Sequence, residues 1–124
     1  MKKIISLVCL PMLIVLFTGM TCVAQQNVPQ KPLEMKTYVI ERNIPGAGQF
    51  TPEKLKDISK TSCSVLKDMG PDIQWLQSYV TDNKIFCVYK ATDIELLREH
   101  AKKGGFPITA IYEVSSVISP ATAN

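Results

Sequence analysis

The chain has 124 residues, a formal net charge of +3, and hydrophobic residues at 46% of its positions. This length suits one globular domain. The absence of a basic patch with interleaved aromatic residues argues against a nucleic-acid-binding protein. Removal of Lys2 and Lys3 with the N-terminal segment would lower the charge from +3 to +1.

The first 24 residues have the three parts of a secretory signal peptide. Two lysines precede a long apolar run, and Cys22-Val23-Ala24 forms a small-x-small cleavage site. We predict cleavage after Ala24 and export, with the periplasm as the destination. Two alternatives stay open. In the first, Cys22 carries a lipid anchor. In the second, the segment is not cleaved and holds the protein in a membrane, since about 20 apolar residues can span a bilayer.

Residues 25–34 are polar, contain two prolines and show no periodicity. This composition predicts a flexible linker. The folded domain is predicted over residues 35–120, with a short tail at 121–124. Within the domain, Met35 to Arg42 is rich in β-branched and aromatic residues and predicts the first strand.

The first helix follows a Gly/Pro loop. Thr51 supplies an N-cap and Pro52 occupies the first helical position, and Gly70-Pro71 ends the helix. Its apolar side is predicted to face the core and consists of Leu55, Ile58, Ser62, Val65, Leu66 and Met69.

A β-hairpin is predicted next, because residues 72–80 and 84–90 flank Asp82-Asn83, whose residues tolerate positive φ. A two-residue turn would pair Val80 with Ile85, Ser78 with Cys87 and Leu76 with Tyr89. The other face of the sheet would then carry Ile73, Trp75, Gln77, Tyr79, Phe86 and Val88.

A second helix and a last strand complete the pattern. Thr92 and Glu95 form a capping box, Gly104-Gly105 stops the helix, and residues 108–117 predict a strand. The resulting β-α-β-β-α-β order indicates an α+β ferredoxin-like sandwich. Two helices would cover one sheet face, and the aromatic open face predicts a sheet-to-sheet homodimer.

Two side chains on the helix-covered side are candidates for chemistry. His100, the only histidine, lies near the apolar stripe of the second helix, and Cys87 lies on the facing strand. An imidazole beside a thiol suits a transition-metal site or a thiolate–imidazolium pair. The simpler interpretation, which the sequence alone favours, is a core histidine that hydrogen-bonds the backbone beside an inert buried cysteine.

A metal needs three or four donors. Glu41 and Tyr79 are the candidates that would complete the set begun by His100 and Cys87. Glu41 and Arg42 are adjacent in a strand and therefore point to opposite faces. Cys63 lies at the rim of the first helix, either as a small half-buried residue or as a disulfide partner of Cys87.

Four stretches together resemble domain-of-unknown-function family 4242, whose members are small ferredoxin-like domains. They are YVIER at residues 38–42, WLQSYVTDNKIFCVY at 75–89, REHAKKGGFP at 98–107 and YEVSSVISP at 112–120. The resemblance covers residues 36–121. It implies a dimer and binding of nickel or a similar divalent transition metal.

The matching positions are Glu41, Arg42, Ser78, Tyr79, Cys87, Tyr89, Arg98, Glu99 and His100. Many relatives look like W-x-H-S-Y-V in the hairpin, whereas this chain has Gln77 in place of the histidine. The family's metal affinity is therefore expected to be weaker here if that position is a ligand.

The sequence favours an exported small dimeric binding protein, with nickel or another small ligand as its partner. A small-molecule enzyme with a pocket between sheet and helices is the first alternative, with His100 or Tyr79 as acid or base. A purely structural interaction domain is the second alternative.

Overall fold

The structure, a computed structural model, describes residues 32–124. The predicted signal peptide at 1–24, the cleavage after Ala24, the lipid anchor on Cys22 and most of the linker at 25–34 lie outside these residues. Over the described range, no helix has both the length and the apolar character needed to cross a membrane.

Four strands and two helices follow one another in the predicted order. They are β1 (Lys36–Asn43), α1 (Pro52–Met69), β2 (Ile73–Val80), β3 (Lys84–Ala91), α2 (Ile94–Gly104) and β4 (Ala110–Glu113). The strands form one antiparallel sheet in the order β2-β3-β1-β4. This arrangement confirms the ferredoxin-like α+β prediction.

The ends of α1 are those that the sequence predicts. The Thr51 side chain accepts a hydrogen bond from the Lys54 amide at 3.2 Å, which satisfies one of the free donors of the first turn. Pro52 is the first helical residue. Gly70 ends the helix with φ 85°, a conformation that glycine adopts without steric cost.

The predicted capping box of α2 is wrong, although the helix itself is confirmed. Asp93 is the N-cap, and its carboxylate accepts from the Glu95 amide at 2.8 Å. Thr92 instead donates its backbone amide to the Asp72 carbonyl at 3.0 Å, which ties it to the start of β2. Aspartate caps a helix as well as threonine does, so either residue could have served.

The hairpin turn is confirmed, but part of the predicted register is wrong. Val80 pairs with Ile85 and Ser78 with Cys87, as expected. A β-bulge between Trp75 and Gln77 then pairs Trp75 with Tyr89, so the predicted contact of Leu76 with Tyr89 does not form.

The bulge also changes which face each side chain of β2 occupies. An extra residue in one strand moves the residues beyond it to the opposite face. Ile73 and Trp75 therefore pack against the core on the helix-covered side, whereas both were predicted on the open face. Leu76 is left half-exposed at 49%.

The last strand is shorter than the predicted residues 108–117, since β4 contains only four residues. Backbone bonds from Thr109 to Glu41 and from Val114 to Thr37, both 2.8 Å, extend its contact with β1 by one residue at each end. Beyond Val114 the chain passes the first residues of β1 and has no further strand to pair with.

Candidate functional site

Alternation along β1 separates two neighbouring charged residues. Tyr38, Ile40 and Arg42 are buried on the helix-covered side, whereas Val39 and Glu41 point to the open side. The prediction that Glu41 and Arg42 face opposite sides is confirmed. Arg42 is the residue that faces the helices, and only 3% of it is exposed.

The Arg42 guanidinium is held by uncharged groups. Its Nη1 donates to the Pro107 carbonyl at 2.6 Å, and its Nε donates to the Cys87 Sγ at 3.4 Å. Its Cζ lies 5.5 Å from the centre of the Phe106 ring, within cation–π distance. Nη2 is buried without a hydrogen-bond partner. None of the ion pairs within residues 32–124 includes Arg42.

His100 is fully buried, and it faces the sheet as its position on α2 predicts. Its imidazole lies near the Arg42 guanidinium. Its Nε2 lies 3.2 Å from the Ser62 hydroxyl, and its ring lies 5.3 Å from Tyr89 and 5.4 Å from Phe106 between centres. Burial lowers the pKa of His100, the Arg42 charge lowers it further, and Ser62 opposes the shift. The imidazole is therefore neutral at pH 7.

The Ser62–His100 pair lacks the third member of a catalytic triad. The Nδ1 of His100 is buried without a hydrogen-bond partner, so no group in the described part of the chain orients the ring as a base. The contact is a buried polar pair and does not provide an activated nucleophile.

Tyr89 is the other polar aromatic side chain of this region, and its ring lies against that of His100. Burial raises the pKa of its phenol, and the neighbouring Ser62 hydroxyl and Arg42 guanidinium only partly offset that effect. Tyr89 therefore keeps its proton at neutral pH.

A cavity of about 560 Å³ lies between α1 and the helix-covered face of the sheet. Arg42, Cys87, Tyr89 and Ser62 line its polar part. Its apolar wall is formed by Ile44, Phe50, Leu55, Ile58, Trp75, Ile85 and Phe106. Val80 also lines it and is 40% exposed, although it faces the helix side with Ile85. The helices thus leave this part of the sheet open.

The four predicted metal ligands are not brought together in one protomer. His100 and Cys87 lie on the helix-covered side, and Glu41 and Tyr79 lie on the open side. Within residues 32–124, no group of three or more His, Cys, Asp or Glu side chains is arranged to hold a metal ion. The Arg42 charge beside the Cys87 sulfur also disfavours a cation there.

Glu41 is the centre of a small polar cluster on the open face. It forms an ion pair with Lys84 at 2.5 Å and accepts from the Tyr112 hydroxyl at 3.2 Å. The Lys84 hydrogen bond holds the pKa of Glu41 below its usual value, and the Tyr112 hydroxyl adds to the effect. Tyr79 lies two strands away and hydrogen-bonds the Gln77 amide.

Cys63 and Cys87 are free thiols, the first exposed and the second buried, so the alternative of a disulfide between them is not realised. Sequence reasoning missed Ser62, Tyr89 and Phe106 as neighbours of His100. The one available signal was Ser62, a polar residue on an otherwise apolar helix side.

Fold and cavity together define a small ferredoxin-like α+β domain with a ligand-sized pocket between helix and sheet. The chain belongs to the SCO4226-like family, because the model described as "Nickel responsive protein SCO4226-like" matches residues 38–114. This supports the resemblance to a nickel-associated family, and the label 4242 itself stays a prediction. No curated protein matches the chain.

The chain is also similar to the crystal structure of SCO4226 from Streptomyces coelicolor A3(2). The TM-score is 0.57 at 16% sequence identity, and the similarity covers 66% of this chain and 99% of that one. At this identity the likeness establishes the fold.

Proposed function

We propose that this protein is an exported small binding protein that acts as a sheet-to-sheet homodimer. The supporting observation is the open sheet face. Val39, Phe86 and Val88 are half-buried there, and Tyr79 and Tyr112 are exposed at 56% and 54%. An apolar face of this kind marks an interaction surface.

A second copy of the chain is the occupant that this face suits. A two-fold dimer requires a self-complementary surface. The face carries both signs of charge, because Glu41 and Lys84 form an ion pair where β1 ends and β3 begins. Two copies related by a two-fold axis can therefore bring each carboxylate near the other copy's ammonium group as well as its own.

Export is proposed from the N-terminal sequence. A lysine pair, an apolar run and a small-x-small site support cleavage after Ala24, with the periplasm as the compartment. N-terminal sequencing of the protein purified from the expressing cell checks this. A chain that begins at Gln25 supports it, and one that begins at Met1 contradicts it.

Nickel or a similar divalent cation is proposed as a ligand of the open face. The support is the family description, "Nickel responsive", together with the ionised, half-buried Glu41. One protomer does not supply a complete donor set, so the proposed site is shared by two copies and includes two Glu41 carboxylates. Carboxylate and hydroxyl oxygens are harder donors than nickel prefers, so the affinity should be modest.

Calorimetric titration of nickel into the protein, purified without a histidine tag, tests this proposal. Glu41→Gln should abolish binding, and Glu99→Gln, which changes an exposed carboxylate of α2, should leave it unchanged. Lys84→Met should strengthen binding, because a cation must displace the Lys84 ammonium from Glu41.

A nickel site on the helix-covered side would give the opposite pattern of losses in the same titration. Binding that is lost in His100→Ala and retained in Glu41→Gln would mean that nickel uses His100 and Cys87. No binding at millimolar nickel would overturn the metal proposal.

A further inference from the structure

A buried positive charge without a counter-charge lies at the polar end of the cavity. We propose that this cavity binds a small organic monocarboxylate, with its carboxylate at Arg42 and its apolar body along the wall between α1 and the sheet. This site is on the opposite side of the sheet from the proposed nickel site and does not depend on it.

The polar end of the cavity is rich in donors and poor in acceptors. The Arg42 guanidinium, the Tyr89 phenol and the Ser62 hydroxyl all line it and can donate hydrogen bonds. Within the described residues, Arg42 contacts only the Pro107 carbonyl and the Cys87 sulfur as acceptors, and neither carries a full negative charge. A cavity end lined by a cation and by hydrogen-bond donors favours an anionic ligand.

The unmet hydrogen-bonding capacity supports the same ligand. Arg42 Nη2 is buried without a partner, and the guanidinium lies against the ring of Phe106, which also lines the cavity. A buried charge that lacks a partner is costly. A carboxylate relieves this cost with two oxygens that match the planar fork of a guanidinium.

The rest of the cavity selects for an apolar body on that anion. Ile58, Trp75 and Ile85 form a wall that cannot hydrogen-bond an inorganic ion. The volume, about 560 Å³, lies within the range of small-molecule sites. Asp57 is the only acidic residue in the lining, and its exposed side chain forms an ion pair with Lys60 at 3.8 Å. It therefore leaves the inner charge uncompensated.

Octanoate is a suitable probe, with octylamine as a cationic ligand of equal chain length. Trp75 is the only tryptophan and lines the cavity, so its fluorescence reports occupancy directly. The protein should bind octanoate about tenfold or more tightly than octylamine, the discrimination expected of a charge-assisted contact. Equal binding of the two probes, or no binding of octanoate, would overturn the proposal.

Arg42→Met and Arg98→Met form a matched pair of variants for calorimetry. Arg42→Met removes the buried charge with little change in shape, and Arg98→Met removes an exposed charge of α2. The first should weaken octanoate binding about tenfold or more without weakening octylamine binding, and the second should change neither. Unchanged octanoate affinity in a folded Arg42→Met protein would overturn the assignment.

Circular dichroism checks that each variant is folded. If Arg42→Met does not fold, Arg42→Lys replaces it, since it keeps the charge but loses the fork. Weaker octanoate binding in that variant supports the proposal, and equal binding contradicts it. Nickel titration of the same samples separates this result from the metal proposal, because the two ligands use opposite faces of the sheet.

Discussion

The environment of His100 combines burial, a nearby positive charge and a single hydroxyl partner. Burial lowers its pKa by disfavouring the charged imidazolium, and the Arg42 guanidinium acts in the same direction. Phe106 and Tyr89 contact the ring from two sides, which excludes the water that would otherwise stabilise a charge. The neutral histidine is thus part of the structure, and it leaves Arg42 as the only buried cation in the described part of the chain.

This environment predicts how stability depends on pH. The native pKa of His100 is below its ordinary value of 6.5, so the unfolded chain binds more protons as pH falls below 6.5. The stability that the neutral imidazole contributes is complete above pH 6.5 and is lost as pH falls through the native pKa. Urea unfolding at several pH values between 7.5 and 5.5 should therefore show decreasing midpoints.

A variant without the imidazole isolates the cause. His100 is the only histidine, so His100→Leu should flatten the pH dependence in this window. His100→Gln keeps a polar group and serves if the leucine variant is poorly folded. Equal slopes for the wild type and the variant would contradict the prediction.

Each helix and strand is stabilised by a few local interactions, and the first turn of α1 gives the clearest example. Thr51 caps its first turn through one side-chain hydrogen bond. Thr61, an exposed threonine of the same helix, bonds back to the Asp57 carbonyl at 3.1 Å, an arrangement that adds little to helix stability.

The two threonines predict opposite results for the same substitution. Thr51→Ala should lower the free energy of unfolding by about 1 kcal/mol, because a capping acceptor is lost. Thr61→Ala should be neutral or slightly stabilising, because alanine has the higher helix propensity. Urea denaturation at pH 7 measures both. Equal effects would mean that the Thr51 bond does not cap the helix in solution.

Local signals predicted most of the fold, and long-range contacts explain the exceptions. Caps, glycine stops and the hairpin turn lie within a few residues of each other in sequence, so the elements and their order could be predicted. The bulge at Leu76 could not, because the residues of β2 fit either face. The length of β4 depended on where β1 begins.

The candidate site was less predictable for the same reason. Strand alternation could place Glu41 and Arg42 on opposite faces, and helical periodicity could place His100 inside. The contacts of Arg42 with Pro107 and of His100 with Ser62 join residues far apart in sequence. The folded structure is therefore needed to see that the polar side chains on the helix-covered side include an unpaired cation, Arg42, and do not form a set of metal donors.

At the scale of the whole molecule, the sheet separates two surfaces with different properties. The helix-covered face encloses a pocket that ends in a buried cation, and the open face presents an apolar surface beside an ion pair. A dimer that buries the open face would leave the pocket accessible, because its mouth lies beside α1. Assembly and binding of a carboxylate are therefore expected to be independent.

Light scattering during size-exclusion chromatography tests the dimer. The wild type should be dimeric at micromolar concentration, and Tyr79→Glu should shift it toward the monomer, because a charge would be buried against the second copy. Ile118→Glu is the control, since Ile118 is an exposed apolar residue at 82% that lies beyond β4. It should leave the dimer unchanged.

Octanoate titration of the same variants tests whether assembly and carboxylate binding are independent. Tyr79→Glu should retain the wild-type affinity for octanoate. A monomeric wild type would contradict the dimer and would leave the apolar open face available to a different partner. Equal dissociation of both variants would mean that the tail after β4 forms the interface. Loss of octanoate binding in Tyr79→Glu would mean that the two faces are coupled through the sheet, since Tyr79 pairs with Phe86, the neighbour of Cys87 on β3.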